Sequence, residues 1–441
     1  MNAAGSDRPS ERAARATYRD VFAIREFRAL WAAQLVSVAG DQLARIALTV
    51  LVYDRTGSPT LAAVTFMVSV VPVFIGGVTL AGLADRLPRR AVMIACDVLR
   101  CALVLVMVLP QVPLAVNVAL LAVVTLVSAP FTAARAALYP DIVPGEKYVV
   151  GTAVTLTTNQ FAQVVGFAAG GAAVGLLGTR TSLIMDAATF AVSAVVVRCW
   201  VRPGRAPSAR SAPSAAPAPA PESAGEHRGA GVICAARMVF RNPAMRLPML
   251  FGWLAAFYNA PEGVAAPLSD NFDGGAITVG AILAAQALGE TAGMLTFGRL
   301  VRTAARLRLM GPLAVATCAV LVLFATGPAK AVALAILVVS GVFGAYQIAA
   351  NAAFVSAVPG AARARAFGLA QGGMSLGQGA AMVLAGIAAE RYAPTTVVAV
   401  AGGVGALCAA CVAASWAKSA KTAAPGALPR FVLSPARTSP I

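Results

Sequence analysis

Twelve apolar blocks, most of them close to twenty residues long, decide what this chain can fold into. They lie at roughly 30–53, 60–82, 91–110, 114–134, 148–176 and 181–200, then at roughly 247–268, 277–298, 309–327, 330–357, 367–389 and 396–417. About 20 residues at a rise of 1.5 Å per residue cross the roughly 30 Å hydrocarbon core of a bilayer. The apolar residues come as continuous blocks rather than at amphipathic spacing. The residues AVILMFWYC supply 59% of the chain and DEKR only 12%, against about 25% charged residues in soluble domains. A set of soluble domains is therefore excluded. The expectation is an all-α polytopic membrane protein with twelve transmembrane helices in two pseudo-symmetric six-helix bundles.

The net charge of +17 could suggest a nucleic-acid partner, but its distribution follows the positive-inside rule. One face collects the arginines of segment 1–28, then Arg86, Arg89 and Arg90, Arg135 and Lys147, the stretch from Arg198 to Arg246, Arg299 to Arg308, Arg363 and Arg365. The other collects Arg55, Arg180, Lys330 and Arg391. This bias predicts that both termini are cytoplasmic and that the lipid bilayer, not nucleic acid, is the partner. The predicted divisions are a basic cytoplasmic segment 1–28, a first bundle 29–200, a Pro/Ala-rich cytoplasmic linker 201–235, a second bundle 236–417 and a disordered cytoplasmic tail 418–441. Segment 1–28 lacks the layout of a cleavable signal, so the first helix is expected to stay as an anchor.

The halves rhyme. GLADRLPRR at 82–90 has its counterpart in GRLVRTAARLR at 298–308, and ARAALYPDIVPGEK at 134–147 in AVPGAARARAFG at 357–368. The fifth block carries Gly166, Gly170, Gly171 and Gly175, and the eleventh carries Gly368 and Gly372 among others. Small residues at such spacing let helix backbones approach closely. Parallel repeats of this kind build many secondary transporters, with the substrate site between the halves near the midplane.

These segments resemble the major facilitator superfamily. Gly82 to Arg90 is similar to that family's signature between its second and third helices, with Ala81 and Pro88 standing where the family has glycines. Within the superfamily the chain is most similar to the macrolide-efflux and enterobactin-exporter branch of drug:proton antiporters. FRALWAAQLVSVAGDQLARIAL at 27–48, CDVLR at 96–100, RAALYPDIVP at 135–144 and MDAATFAVSA at 185–194 carry that likeness. The efflux signature Gly-Pro-x-x-Gly-Gly reads Gly166-Phe167-Ala168-Ala169-Gly170-Gly171 here, without its proline.

The resemblance implies a cytoplasmic gate in which Asp85 faces the start of the eleventh helix. Arg86, Arg89, Arg90 and Arg135 are its basic members and Asp141 a further carboxylate; Asp97 and Arg100, near the start of the third block, are read as part of the same network. Ionisable groups inside the blocks are the best candidates for transport and proton coupling, because each is costly in lipid unless paired or hydrated. Asp41 and Arg45, at i, i+4 in the first block, are read either as a proton-linked carboxylate with its cation or as a static pair. Glu262 and Glu290 are the second-half candidates, and Asp186 is read as a partner of Arg180. Aromatic groups expected at the cavity are Trp31, Phe66, Trp253, Tyr258 and Tyr346. Asn259, Gln286 and Gln347 would add neutral hydrogen bonding.

No cofactor is implied. His227, the sole histidine, sits in the linker, so a histidine metal site is not available. Cys408-x-x-Cys411 lies mid-block and reads as packing. A nucleotide-binding glycine loop is absent, which argues against an enzyme or an ATP-driven pump. The expected activity is proton-driven export of an amphiphilic small molecule by a monomer, with small-molecule substrate and protons as partners. An importer or lysolipid transporter of the same fold is the alternative, and a non-transporting receptor a third reading.

Overall fold

The computed structural model describes residues 17–80, 87–202 and 236–422. Among these the chain is helical, and nine helices are long and apolar enough to cross a membrane. One of the nine, Lys147–Trp200, is 54 residues long and carries both the fifth and sixth blocks. The two remaining blocks form helices that are charged or broken. The result is the two-bundle, twelve-span architecture expected from the blocks.

A short α1 (Tyr18–Phe22) precedes α2 (Arg25–Thr56), the first span. The sequence Gly57-Ser58-Pro59 ends α2 and starts the next helix. Gly57 takes a left-handed φ of 63°, Ser58 accepts a hydrogen bond from the Leu61 N–H, and Pro59 occupies a first-turn position whose N–H would be unpaired anyway. The second span is broken into α3 (Pro59–Val68) and α4 (Val71–Thr79). Next come α5 (Arg89–Met107), α6 (Leu114–Ile142) and α7 (Glu146–Trp200). Inside α7, Gly178 has φ 81° and ψ 165°, which folds the element into two arms, the fifth and sixth spans.

The second half starts with a succession of short helices, α8 (Pro243–Trp253), α9 (Ala255–Tyr258), α10 (Ala260–Gly263) and α11 (Ala265–Ser269). Pro248, Pro261 and Pro267 each remove a backbone donor along this span. Then follow α12 (Gly275–Leu300), α13 (Thr303–Ala319), α14 (Lys330–Phe343), α15 (Tyr346–Ala357), α16 (Arg363–Ala389) and α17 (Pro394–Thr422). Large apolar side chains stand outward on these helices; Leu176 is 76% exposed and Leu407 70%. That is the surface lipid covers, since a soluble protein hides such a belt.

Among the described residues the halves meet mainly along two seams, the first arm of α7 against α12, and α16 against α3 and α4. Both rely on missing side chains. A Cβ on Gly171 would stand 2.7 Å from the Gly280 Cα and 2.7 Å from the Ala276 carbonyl oxygen, and one on Gly175 would stand 2.7 Å from Ile277. Across the second seam, the Phe74 ring occupies the space a Gly372 side chain would need. Gly166 and Gly170 close up on Gln42 and Ile46 of α2, inside the first half. Gly368 faces open space, so the close-packing expected of it is not found.

Candidate functional site

Two polar clusters interrupt the apolar interior. The first lies wholly inside the first half. Arg100 of α5 pairs with Asp41 of α2, donates to the Ser37 hydroxyl at 3.4 Å and stands 3.8 Å from Asp97. Its guanidinium lies 3.9 Å from the centroid of the Phe190 ring, a cation–π stack that a desolvated site strengthens. The Ser193 hydroxyl donates to Asp97 at 2.6 Å. Asp186 completes the group, within electrostatic reach of Asp41 and Arg100. Arg100, Asp97 and Asp186 are buried, whereas the Asp41 side chain is 36% exposed.

Three expectations are corrected here. Asp41 is paired with Arg100 rather than Arg45. Residues four apart on a helix differ by about 40° around its axis, and in a packed bundle that rotation points them at different neighbours. Asp97 and Arg100 are not at a helix end with the gate; they lie about two to three turns inside α5. Asp186 is turned inward to this cluster rather than toward Arg180.

The second cluster straddles the boundary between halves. Arg45 of α2 donates from Nη2 to the Ser69 carbonyl at 3.3 Å. Ser69 caps α3, and the break there leaves carbonyls free of helical partners. The Arg45 guanidinium lies 5.4 Å from the centroid of Phe66 and 5.9 Å from that of Phe167. From the other half, Glu262 is within electrostatic reach of both Arg45 and Glu290. Glu290 accepts from the Gln286 amide at 3.5 Å, and Tyr258 lies beside both carboxylates. Arg45 Nε, Gln286 Oε1 and Asn259 Oδ1 are buried without a hydrogen-bond partner. A group of this kind calls for a ligand or water to complete it.

Other expected cavity residues are committed to packing. Trp31 donates to the Thr158 hydroxyl at 2.9 Å and its ring meets Phe22 edge-on. Trp253 donates to the Ala370 carbonyl at 2.9 Å. Tyr346 is fully buried and donates to the Phe251 carbonyl at 3.0 Å. Gln347 donates to the Gly252 carbonyl at 3.1 Å and the Tyr258 hydroxyl at 3.2 Å. The Trp31 contacts lie within the first half, and the other bonds fix the second half internally.

At the basic end, Arg89 bridges Asp141 at 2.7 Å and the Ala137 carbonyl at 2.8 Å, and Arg90 donates to the Arg198 carbonyl. Arg135 is half-buried beside Tyr139. All of these contacts stay within the first half. Asp85 and Arg86 lie outside the described residues, as does linker segment 203–235. At the opposite end the contacts cross between halves: Tyr53 donates to Asp270 at 2.6 Å, and Glu390 accepts from the Ser58 hydroxyl at 2.6 Å and the Thr60 N–H at 3.1 Å. A surface cavity of about 430 Å³ beside Arg25, Trp200 and Arg202 shares no lining residue with either cluster.

Sequence reasoning missed Phe167, Phe190, Ser193 and Gly280. Phe167 stands in the efflux signature and Phe190 and Ser193 in the phrase at 185–194, but nothing in those segments assigned them a role.

The family model described as Major Facilitator Superfamily matches residues 30–262 and 263–439. No curated protein matches the chain. Among solved structures, a bacterial homologue of the human lysosomal transporter Spinster aligns over 90% of this chain and 96% of its own at a TM-score of 0.60 and 16% identity. A POT family transporter in complex with 5-aminolevulinic acid aligns over 89% and 96% at 0.69 and 13% identity. The nucleoside transporter NupG aligns over 88% and 99% at 0.63 and 16% identity. At these identities the likeness is one of fold.

Proposed function

The chain belongs to the Major Facilitator Superfamily, and from that membership we propose that it is a proton-coupled exporter of an amphiphilic, amine-bearing small molecule, such as an antibiotic or natural product. The superfamily's fold is that of a membrane transporter and not of an enzyme. The observation that carries the finer reading is the cluster split between halves. Glu262 and Glu290 present two carboxylates and Arg45 one guanidinium, so a cationic substrate evens the charge. Phe66, Phe167 and Tyr258 supply apolar walls and π faces for its body. Binding there stabilises whichever arrangement of the halves brings Arg45 and Glu262 to the right separation, and a ligand can shift the two-state equilibrium only by that difference.

Export, and kinship with the macrolide-efflux and enterobactin-exporter branch, rest on the first-half phrases at 27–48, 96–100, 135–144 and 185–194. Sidedness rests on the Lys/Arg distribution, which places both termini and the 201–235 linker between bundles 29–200 and 236–417 in the cytoplasm of a cell membrane. The cross-half bonds of Tyr53 and Glu390 then close the external side, leaving the clusters to open inward. A monomer contains both. Phe167, standing where efflux members have proline, favours a second reading: import, or lysolipid movement, on the same fold.

Proteoliposomes carrying the full chain, loaded with a fluorescent lipophilic amine, test the proposal. An imposed pH gradient drives amine movement against protons, and a protonophore abolishes it. Gradient-independent movement, or movement with protons, sinks export by antiport and leaves the second reading.

A further inference from the structure

Three carboxyl groups inside the first half share the guanidinium of Arg100, and they are served unequally. Asp41 holds the ion pair. Asp97 has Arg100 at 3.8 Å on one oxygen and the Ser193 hydroxyl at 2.6 Å on the other. Asp186 has neither. It is 0% exposed, its Oδ2 has no hydrogen-bond partner, and its Oδ1 receives only a 3.5 Å contact from the Thr189 hydroxyl. That hydroxyl is already donated to the Asp186 carbonyl at 2.7 Å. An ionised carboxylate left unpaired in such a place costs several kcal/mol.

We propose that Asp186 is a proton-binding site of the first half, filled while Arg100 is bound to Asp41. The inference deepens the proton-coupled reading above and rests on it. The ionisable groups that face Asp186 are Asp41 from α2 and Arg100 and Cys101 from α5, with Asp97 behind them. Gly40 lets them meet: a side chain there would collide with Thr189 and stand 2.5 Å from Asp186 Oδ1, so α2 and the second arm of α7 are in close contact. Among the described residues no three acidic, cysteine or histidine side chains converge to hold a metal ion.

The exchange balances. Asp41, whose side chain is 36% exposed, takes a proton from water, forming an O–H bond and losing its charge. Arg100, still a cation, leaves Asp41 for Asp186. The Asp186 O–H bond breaks and its proton passes to water. One proton enters, one leaves, and the cluster's charge is unchanged, but the guanidinium has moved from α2 to α7. Asp41 is thus the entry group and Asp186 the store.

Infrared difference spectra of the full-length protein in lipid, in H₂O and D₂O, report neutral carboxyl groups directly. In Asp186→Asn one neutral-carboxyl band disappears, thermal stability is retained because the amide is isosteric with the neutral acid, and transport no longer responds to a pH gradient. Asp41→Asn, which mimics the neutral entry group and sends Arg100 to Asp186, loses the band as well. A band that persists in Asp186→Asn overturns the inference whatever transport does. So does a marked loss of stability in that variant, which marks Asp186 as an ionised partner of Arg100. Loss of the band in a protein whose wild type shows no pH-driven transport upholds the proton site and sinks the proton-coupled reading instead.

Discussion

The Arg100 cluster and the Arg45 cluster use the same chemistry, one guanidinium among carboxylates over aromatic rings, and differ in what holds them. Arg100, Asp41, Asp97 and Asp186 all belong to helices of the first half. When one half rocks against the other as a rigid body, their separations stay fixed, and only protonation or side-chain movement changes the pairing. Arg45 and Glu262 belong to different halves, so rocking itself makes and breaks their attraction. The contrast separates two tasks. A charge cluster closed within one bundle stores a state, and one shared between bundles reports and biases their arrangement.

The largest expected effect tests the closed cluster. Arg100→Ala removes the cation that faces three carboxyl groups and leaves buried charge unpaired, at a cost of about 3–5 kcal/mol. The expected outcome is poorly expressed protein with a sharply lowered melting temperature. Adding Asp41→Asn to the same chain recovers part of the loss. If Arg100→Ala is as stable as wild type, the cluster is hydrated and open, and the distinction between closed and shared clusters fails.

The shared cluster responds differently. Glu262→Gln keeps the shape, strands no fully enclosed cation, and leaves stability within about 1 kcal/mol of wild type. It lowers affinity for an amine substrate about tenfold, equivalent to about 1.4 kcal/mol, with little change for a neutral molecule of similar shape. Equilibrium binding on purified protein measures both. Equal losses for the two ligands would show that Glu262 shapes the wall rather than reading charge.

The third effect concerns the seam that carries the shared cluster. With its Cβ position 2.7 Å from the backbone of Gly280 and Ala276, Gly171→Leu overpacks the contact between α7 and α12. Overpacking costs roughly 1–3 kcal/mol, and the arrangement of halves seen here bears it. The population shifts toward a form in which that seam is parted, read as altered labelling of cysteines placed along α7 and α12. Gly368→Ala, which meets open space, leaves the labelling pattern unchanged.

The sequence made these spans legible because lipid imposes one rule on every helix, and a run of apolar residues expresses it. The Gly57-Ser58-Pro59 turn was equally local. The break at Gly178 falls in the gap the sequence left between the fifth and sixth blocks, at 177–180; what the sequence did not show was that the two helices run on through it with only one glycine at positive φ. In the site, Asp41, Glu262 and Glu290 were visible because charge in an apolar block is rare. Their partners were not. Spacing along α2 offered Arg45 to Asp41, but which neighbour a helix face meets is set by packing between elements, and Arg100 lies on another helix altogether. Of the aromatic rings over the two guanidinium groups, Phe66 was expected at the cavity, whereas Phe167 and Phe190 are ordinary core residues until the fold places a cation against them.

The smallest expected effect lies at the end opposite the basic face, where the halves are clasped rather than charged through the interior. The Ser58 hydroxyl and the Thr60 N–H hold the Glu390 carboxyl below its usual range, because both donate to the ionised form. A depressed carboxyl adds stability to the clasped arrangement that is fully present above the ordinary glutamate value of about 4.3. That stability fades as pH falls through the depressed value, where the clasped form must also take up a proton. Acid on this side alone therefore loosens the clasp, and neutral or alkaline conditions leave it intact. Glu390 is exposed, so the hydrogen bonds are screened by water and worth about 0.5–1 kcal/mol. Ser58→Ala removes the first donor and shifts the balance of clasped and open forms by no more than a few-fold, seen as faster labelling of a cysteine placed beside Tyr53. Tyr53→Phe, which deletes the neighbouring bond to Asp270, produces a similar small shift, and the Ser58→Ala shift vanishes at low pH because Glu390 is then neutral in both proteins. A pH-independent Ser58→Ala effect would assign the clasp to packing rather than to the carboxylate.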